Sequence, residues 1–321
     1  MRTRQDKVSV QELGLRVLTE QYKRGKGTSK HADKQAARAS NGGKLVYKGS
    51  NMENKIYSDE TYKFYRRAWL RYCKSMREDG FKCASGRTPR TLDEAAEYMG
   101  QYIDKMLATD GKESGTKMSA WSIRAFFSGA AKVMSLSAKD YPQLPRRHAD
   151  NIRRSRGDKP SDKNVNLAKY ADFVAFARST GLRHYKELLR VKGTDLRYKD
   201  GRPYVYVACG KGGKKRESPI LCNNGMELAA VISLFTRAEG GLVFPPGSVP
   251  NNIDVHALRA DYAMRVYRTN ARDITQLHRR DLYICRNGKV FDRRACCMVA
   301  QALGHGYSRP SVAVIHYLAY K

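Results

Sequence analysis

The chain has 321 residues and a formal net charge of +30, from 61 Lys and Arg against 31 Asp and Glu. Its length suits two ordinary domains, and a positive excess this large says more about partners than about fold: it favours a polyanion, nucleic acid ahead of anionic membrane. No window approaches the roughly 18 apolar residues of a membrane-spanning helix, the opening run Met1–Asp6 carries charge with no apolar stretch behind it, and seven scattered cysteines without a Cys-x-x-Cys spacing fit neither a disulfide framework nor a zinc pattern.

Residues 1–50 are basic and polar. Ser9-Val10-Gln11-Glu12 has capping-box spacing and predicts a short helix through Gln21. From Lys23 to Ser40 the chain is rich in Lys, Gly, Ser and Ala and reads as a mobile arm, so 1–50 is expected to form a flexible basic extension. Three helical patterns follow in a domain over 51–141. Tyr62, Tyr65, Trp69, Tyr72 and Met76 recur at three- and four-residue steps behind Ser58-Asp59; Leu92, Ala95, Ala96, Met99, Ile103 and Met106 do so behind Thr91; Ile123, Phe126, Phe127, Ala130 and Met134 follow Ser119. The aromatic stripe reads as core. Arg66, Arg67, Arg71, Lys117 and Arg124 lie off the stripes and are candidates for phosphate contacts. Residues 142–166, punctuated by Pro142, Pro145, Gly157 and Pro160, read as a basic linker.

A second domain is expected over 167–321. Ala168 to Arg178 reads helical, Thr180-Gly181-Leu182-Arg183 breaks the helix, and a further helix is predicted on through Leu189 and Val191. Tyr204-Val205-Tyr206-Val207 has strand composition, Gly210-Lys211-Gly212-Gly213-Lys214 is a turn, and Ser218-Pro219-Ile220-Leu221 is the returning strand. Helices resume over Met226–Ala238 and again near Asp254. The expected fold is therefore mainly α, with a small antiparallel β-hairpin in the second domain.

Five features of that domain carry chemistry: Thr180-Gly181-Leu182-Arg183, the Gly-rich turn at Lys211, His256-Ala257-Leu258-Arg259, Leu303-Gly304-His305, and Tyr317. His256 and Arg259 stand three apart on one helix face. A phosphodiester attacked by an oxygen develops negative charge on its non-bridging oxygens, which fixed cations stabilise. Arginine suits this because its planar fork takes two phosphate oxygens together. Lysine can protonate a leaving oxygen, and tyrosine becomes a nucleophile where cations and a base assist it. The Gly-rich turn lacks the spacing of a Walker loop.

Taken in this order, the five features resemble the tyrosine recombinase family of phage integrases, transposon integrases and chromosome-dimer resolvases. The resemblance runs from about Leu167 to the end, and the helical domain before it is more weakly similar to the family's core-binding domain. It implies a two-domain, C-shaped clamp around double-stranded DNA. It implies Arg183 and Arg259 as phosphate clamps, His256 and His305 as further phosphate partners, Lys211 as general acid and Tyr317 as nucleophile. Lys214 and Lys215 share the turn with Lys211, and Tyr307 and Tyr320 are alternatives to Tyr317. The implied reaction forms a 3′-phosphotyrosyl link and releases a 5′-hydroxyl. A partner strand's hydroxyl then reverses the link, through a Holliday junction, within a homotetramer on two sites that is monomeric or weakly associated without DNA. No cofactor, metal or ATP is implied, and the setting is the cytoplasm, on the nucleoid, with no membrane partner. The purpose would be integration or excision of a mobile element. Two departures stand out. Glu187 follows Arg183 by four residues where relatives place their acidic residue one earlier, which leaves its buttressing role open. The spacing from His305 to Tyr317 is also longer than usual in the family. Rival readings are a silent DNA-binding protein of the same fold, a type IB topoisomerase-like nicking-closing enzyme, and an RNA-binding protein with chance motifs.

Overall fold

The computed structural model describes residues 8–108, 118–147, 165–210, 213, 215–250, 252–285 and 287–318. The chain divides into two units, Met1–Ile152 and Arg153–Lys321, and is mainly helical in both.

The first unit holds helices α1 (Val10–Gly25), α2 (Lys30–Ala39), α3 (Asp59–Glu78), α4 (Leu92–Ala96), α5 (Met99–Ala108) and α6 (Ala120–Met134). Most of their starts follow from caps visible in the sequence. The hydroxyls of Ser9, Ser58, Thr91 and Ser119 each accept from a backbone N–H three residues on, and Thr91 with Glu94 completes a reciprocal capping box. The stripe of α3 is core as its period predicts. Trp69 and Tyr72 are fully buried and stack with ring centroids 5.5 Å apart, and Tyr102 meets Tyr72 edge-on at 5.0 Å. The single helical pattern expected behind Thr91 is two helices, α4 and α5, broken where Tyr98 turns into the core against Tyr72.

The expected flexible arm over 1–50 is corrected. Helix α1 buries Val10 and Leu18 in the same core as α3, and Trp69 Nε1 donates to the Gln11 carbonyl at 2.9 Å. Helix α2 is held by Asp33, which accepts from Tyr57 Oη at 2.6 Å and pairs with Lys55 Nζ at 3.0 Å. Composition hid this because its few apolar residues each find a partner far along the chain. The expected linker start is also corrected: Leu144 is buried in this core, and Arg124 Nε and Nη2 donate to the carbonyls of Pro145 and Leu144. The stretch 148–164, most of the expected linker, lies outside the described residues, as does Lys117.

The second unit holds α7 (Ala171–Thr180), a three-stranded antiparallel sheet of β1 (Leu196–Lys199), β2 (Arg202–Val207) and β3 (Arg216–Pro219), then α8 (Gly225–Ala238), α9 (Val255–Asn270), a two-stranded β4 (Leu282–Ile284) and β5 (Val290–Asp292), α10 (Arg293–Ala302) and α11 (Pro310–Ala313). The hairpin forms as expected, but its returning strand is Arg216–Pro219 rather than 218–221. Strand β1 and the β4–β5 pair go beyond it, because β1 has four residues and is mostly exposed and β4 and β5 have three residues each. The helix expected through Val191 is instead one π-helical turn, His184–Leu188, in which the N–H groups of Glu187 and Leu188 both donate to the Arg183 carbonyl. One core gathers Phe173 and Phe176 of α7 with Phe235 and Phe244; a second gathers Tyr262 and Val266 of α9 with Val299, Val314 and Leu318. Cys296 and Cys297 are buried free thiols in or beside the second core, and burial pushes Cys296 up to about 12. Among the described residues no helix is long and apolar enough to cross a membrane.

Helix α10 is fastened at its start by Asp292. One carboxylate oxygen caps the helix through the Arg294 N–H at 2.9 Å and accepts from Arg272 Nη2 at 2.9 Å; the other takes Arg272 Nε and N, each at 3.0 Å. The Arg272 contacts hold this carboxyl at about 2, against 3.8 when unperturbed. A depressed folded value means the stabilisation is complete above the unfolded value and is lost as pH falls through the folded one. Asp292→Asn should lower the unfolding free energy at neutral pH by about 2 kcal/mol. In urea denaturation at a series of pH values, the gap from wild type should close between about pH 4 and about pH 2. A gap that stays constant across that range would contradict the assignment.

Candidate active site

The sequence motifs of the second unit meet at one place, and the reasons are local. Helix α7 ends at Gly181, whose φ of +60° is the left-handed geometry of a helix C-cap. A Cβ there would lie 2.1 Å from the Tyr262 ring, so glycine is required twice over. The chain then buries Leu182 and delivers Arg183 at the start of the π turn. That turn points Glu187 back at Arg183. Glu187 Oε1 pairs with Arg183 Nη1 at 2.7 Å, and Oε2 accepts the Arg183 backbone N–H at 2.9 Å.

Helix α9 is capped by Asp254 and presents His256 and Arg259 one turn apart. Arg259 is 3% exposed. Its Nη2 donates to the Leu303 carbonyl at 2.6 Å, its Nη1 donates to the Gly181 carbonyl, and its Nε donates to Tyr317 Oη at 3.1 Å. Arg183 Nη2 donates to the same Leu303 oxygen at 3.1 Å. One carbonyl therefore sets the spacing of the two guanidinium groups. It is exposed for this because α10 ends at Ala302 and Gly304 turns the chain with φ +77°. His305 follows, its N–H donating to the Ala300 carbonyl at 2.8 Å. Tyr317 sits in a second π turn, Val314–Leu318, behind Pro310 at the start of α11. It is 5% exposed, with ring centroids 5.0 Å from His256 and 6.3 Å from His305. His256 is exposed at the rim.

Five of the six predicted residues, Arg183, His256, Arg259, His305 and Tyr317, are thus brought together. The sixth, Lys211, lies outside the described residues, as do Lys214 and Tyr320. Tyr307 is exposed on the loop before α11, and Lys215 is exposed at the end of the turn. Arg183, His184, Val255, His256, Arg259 and Tyr317 line a cleft of about 270 Å³, enough for a phosphate group and its ester oxygens.

Two partners were not singled out as site residues from sequence. The first is Glu187, which the π turn brings against Arg183 and Arg216. The second is Arg216, the first residue of β3. Its Nη2 pairs with Glu187 Oε2 at 2.6 Å and its Nη1 donates to the Ala302 carbonyl at 3.0 Å. A period-2 signal was available: Arg216, Ser218 and Ile220 share a strand face, and Val205 and Val207, paired with Ser218 and Arg216, are buried.

The electrostatics follow from three guanidinium groups around one carboxylate. Burial would raise the Glu187 carboxyl, but Arg216 and Arg183 outweigh it and hold it below the usual carboxylate range. Burial pulls Arg259 down to about 10, with Tyr317 opposing and the other two arginines reinforcing the fall. At neutral pH it is still a cation. Arg259 commits three of its five donors to the protein, which leaves two for a ligand. The arrangement can hold a tetrahedral anion beside a phenol, with two imidazoles in reach.

The first unit carries a larger cleft, about 530 Å³, lined by Arg124, Arg146, Arg147, Phe127, Ser128 and Ala138. The Arg147 guanidinium lies 4.9 Å from the centroid of the exposed Trp121 ring. The three arginines of this cleft suit it to binding an anion. Arg67 and Arg71 lie over the rings of Phe64 and Phe126, and Arg66 and Arg67 are exposed. Among the described residues no group of three His, Cys, Asp or Glu side chains is arranged to hold a metal ion.

Neither the protein-family models nor the curated proteins compared with this chain give a match.

Because Glu187 pairs with both Arg183 and the buried Arg216, its neutral isostere should leave them uncompensated. Glu187→Gln is expected to lower the unfolding free energy by about 3 kcal/mol, measured by urea denaturation. Adding Arg216→Met should restore part of that loss, since the two side chains share one interaction. An unchanged urea midpoint in the single variant would show that the arginines do not depend on this carboxylate.

Proposed function

We propose that this protein is a DNA strand-cutting and rejoining enzyme of the tyrosine recombinase type, acting on double-stranded DNA at defined sites. The observation that carries the reading is the hydrogen bond from Arg259 Nε to Tyr317 Oη at 3.1 Å, inside a cluster with Arg183, His256 and His305. A phosphate held by the remaining donors of Arg259 and Arg183 lies next to a phenol oxygen. The five residues come from four separate motifs, and a protein that only binds DNA has no need of that convergence.

In this reading Tyr317 attacks the phosphorus of one phosphodiester. The P–O bond to the 5′-oxygen breaks, a 3′-phosphotyrosyl ester forms, and the phenol proton leaves. Of the two imidazoles, His256 is the closer to Tyr317 and the more exposed, and it takes that proton. Arg183 and Arg259 stabilise the charge that develops on the non-bridging oxygens, with His305 as a further donor. Lys211, on the turn between β2 and β3, protonates the departing 5′-oxygen. A 5′-hydroxyl from a partner strand reverses the step, and the energy of the ester link is kept throughout, so the cycle consumes no ATP. Both units close on the duplex as a C-shaped clamp, and four protomers on two sites exchange strands in pairs through a Holliday junction. The role is integration or excision of a mobile element, and the working compartment is the cytoplasm, on the nucleoid.

Covalent trapping tests the chemistry. On a nicked duplex carrying the site, without metal or ATP, wild type should give a slow band on a denaturing gel and Tyr317→Phe none. A band that survives in Tyr317→Phe would move the nucleophile to Tyr320 or Tyr307. No band on verified, tightly bound DNA would favour the silent binding protein, and relaxation of any supercoiled plasmid the topoisomerase-like enzyme.

The cleft of the first unit has a separate expectation. Arg147→Ala should weaken duplex binding about three- to tenfold whatever the sequence and reduce the salt slope by about 1. The rate of adduct formation at saturating DNA should not change. A loss confined to one sequence would mark Arg147 as a base-reading residue instead.

A further inference from the structure

We propose that Arg216 is a positioning residue of this site: it shares the Glu187 carboxylate so that Arg183 keeps its charge for the substrate phosphate. The proposal rests on the phosphodiester-cutting reading above. Arg216 opens β3 opposite Val207, on the buried face of the hairpin. Its side chain is 6% exposed and it does not line the cleft, so it acts through other groups rather than on substrate.

The charge count gives the reason. Glu187 offers two oxygens. Oε1 goes to Arg183 Nη1, and Oε2 is divided between the Arg183 backbone N–H and Arg216 Nη2. Three guanidinium groups and one carboxylate leave a net charge of two at the phosphate site. Without Arg216 the carboxylate has one cation fewer, and the partner that remains in hydrogen-bonding contact with both its oxygens is Arg183. Arg183 then becomes half of an ordinary ion pair, and its capacity to hold a developing oxyanion falls.

The same side chain is an anchor. Its Nη1 donates to the Ala302 carbonyl, next to the Leu303 carbonyl that spaces Arg183 and Arg259. A Cβ on Gly304 would stand 2.8 Å from both Cδ and Nε of Arg216, so the Leu303-Gly304-His305 corner needs its glycine partly to admit this arginine. Arg216 Nε is itself buried with no hydrogen-bond partner among the described residues. An unmet buried donor is unfavourable, and it is retained here because the other end of the guanidinium is pinned on two elements. Arg216 also opens β3, so its two contacts tie the start of that strand to α10 and to the π turn of Glu187.

The test uses full-length wild type, Arg216→Gln and Arg216→Lys, with thermal melting as the check on folding. Adduct formation is timed on a nicked duplex with a normal scissile phosphate and with a methylphosphonate, which lacks the charged non-bridging oxygen. Arg216→Gln should bind duplex as wild type does and cut the normal phosphate about 100-fold more slowly. On the methylphosphonate its deficit should shrink to about tenfold or less, because the charge that Arg183 must stabilise is gone. Arg216→Lys keeps the charge but cannot reach both partners; it should be about tenfold slow on both substrates alike. Equal deficits for Arg216→Gln on the two substrates would overturn the electrostatic role. If Arg216→Gln does not fold, wild-type cutting by a folded Arg216→Lys overturns the proposal and a deficit supports it. If wild type makes no adduct at all, the cutting reading fails on its own. Inorganic phosphate titrated against the arginine Nε–H signals in NMR then decides the charge-sharing role. An affinity about fivefold weaker in Arg216→Gln supports it and an equal affinity overturns it.

Discussion

Three guanidinium groups, from Arg183, Arg216 and Arg259, stand around the single buried carboxylate of Glu187. Like charges this close are tolerated only when something fixed holds them apart and something negative lies between them. The carboxylate supplies the second condition. Backbone carbonyls supply the first: Leu303 accepts from Arg183 and Arg259, Ala302 from Arg216, and Gly181 from Arg259. Each of these carbonyls is free because a helix stops there. Helix α7 ends at Gly181 and α10 ends just before Leu303, and in both places a glycine in left-handed geometry turns the chain away.

Much of the second unit serves that centre. Ser218 Oγ donates to the Thr180 carbonyl at 2.8 Å and lies 3.1 Å from Tyr262 Oη, so β3, α7 and α9 are sewn together one layer behind the arginines. Asp292 fastens the start of α10 while the arginines grip its end. The helix that supplies the Leu303 carbonyl is thus fixed at both termini by charge, not only by its apolar face. Tyr317 arrives last in the chain and closes the cleft with its ring against His256 and its hydroxyl on Arg259. A site that holds a surplus of positive charge and a nearly buried phenol is suited to an anionic substrate that brings its own countercharge.

The first unit obeys a different logic. Its interior is aromatic, and two of its tyrosine hydroxyls find local partners: Tyr72 donates to the Ala95 carbonyl, and Tyr98 reaches Asp79 and Ser75. Its basic residues lie outside that core. Some are already engaged, as Arg124 is with Leu144 and Pro145, and others are exposed. The charge excess of the whole chain is therefore not a uniform coat. It includes a cleft lined by three arginines, of which Arg147 lies over the Trp121 ring.

Readable in the residue order alone are the helices whose caps and periods agree, such as α3 behind Ser58 and α6 behind Ser119, the β2–β3 hairpin, and the five residues that gather around one cleft, because each of these is encoded within a few neighbouring positions. The residue order also places a helix behind Ser9, where α1 stands, but it misses that α1 is docked and that α2 forms at all, since the anchors at Trp69, Lys55 and Tyr57 lie tens of residues away and composition carries no trace of them. It also left Glu187 in doubt, because a one-residue offset looks like a lost contact until the turn is known to be π-helical. That Arg216 joins the site, and that the Leu303 carbonyl sets the spacing of two arginines, emerges only in three dimensions. Both depend on strand register and on where a helix stops in space. A carbonyl is present at every residue, so nothing in the residue types distinguishes the one that two guanidinium groups share.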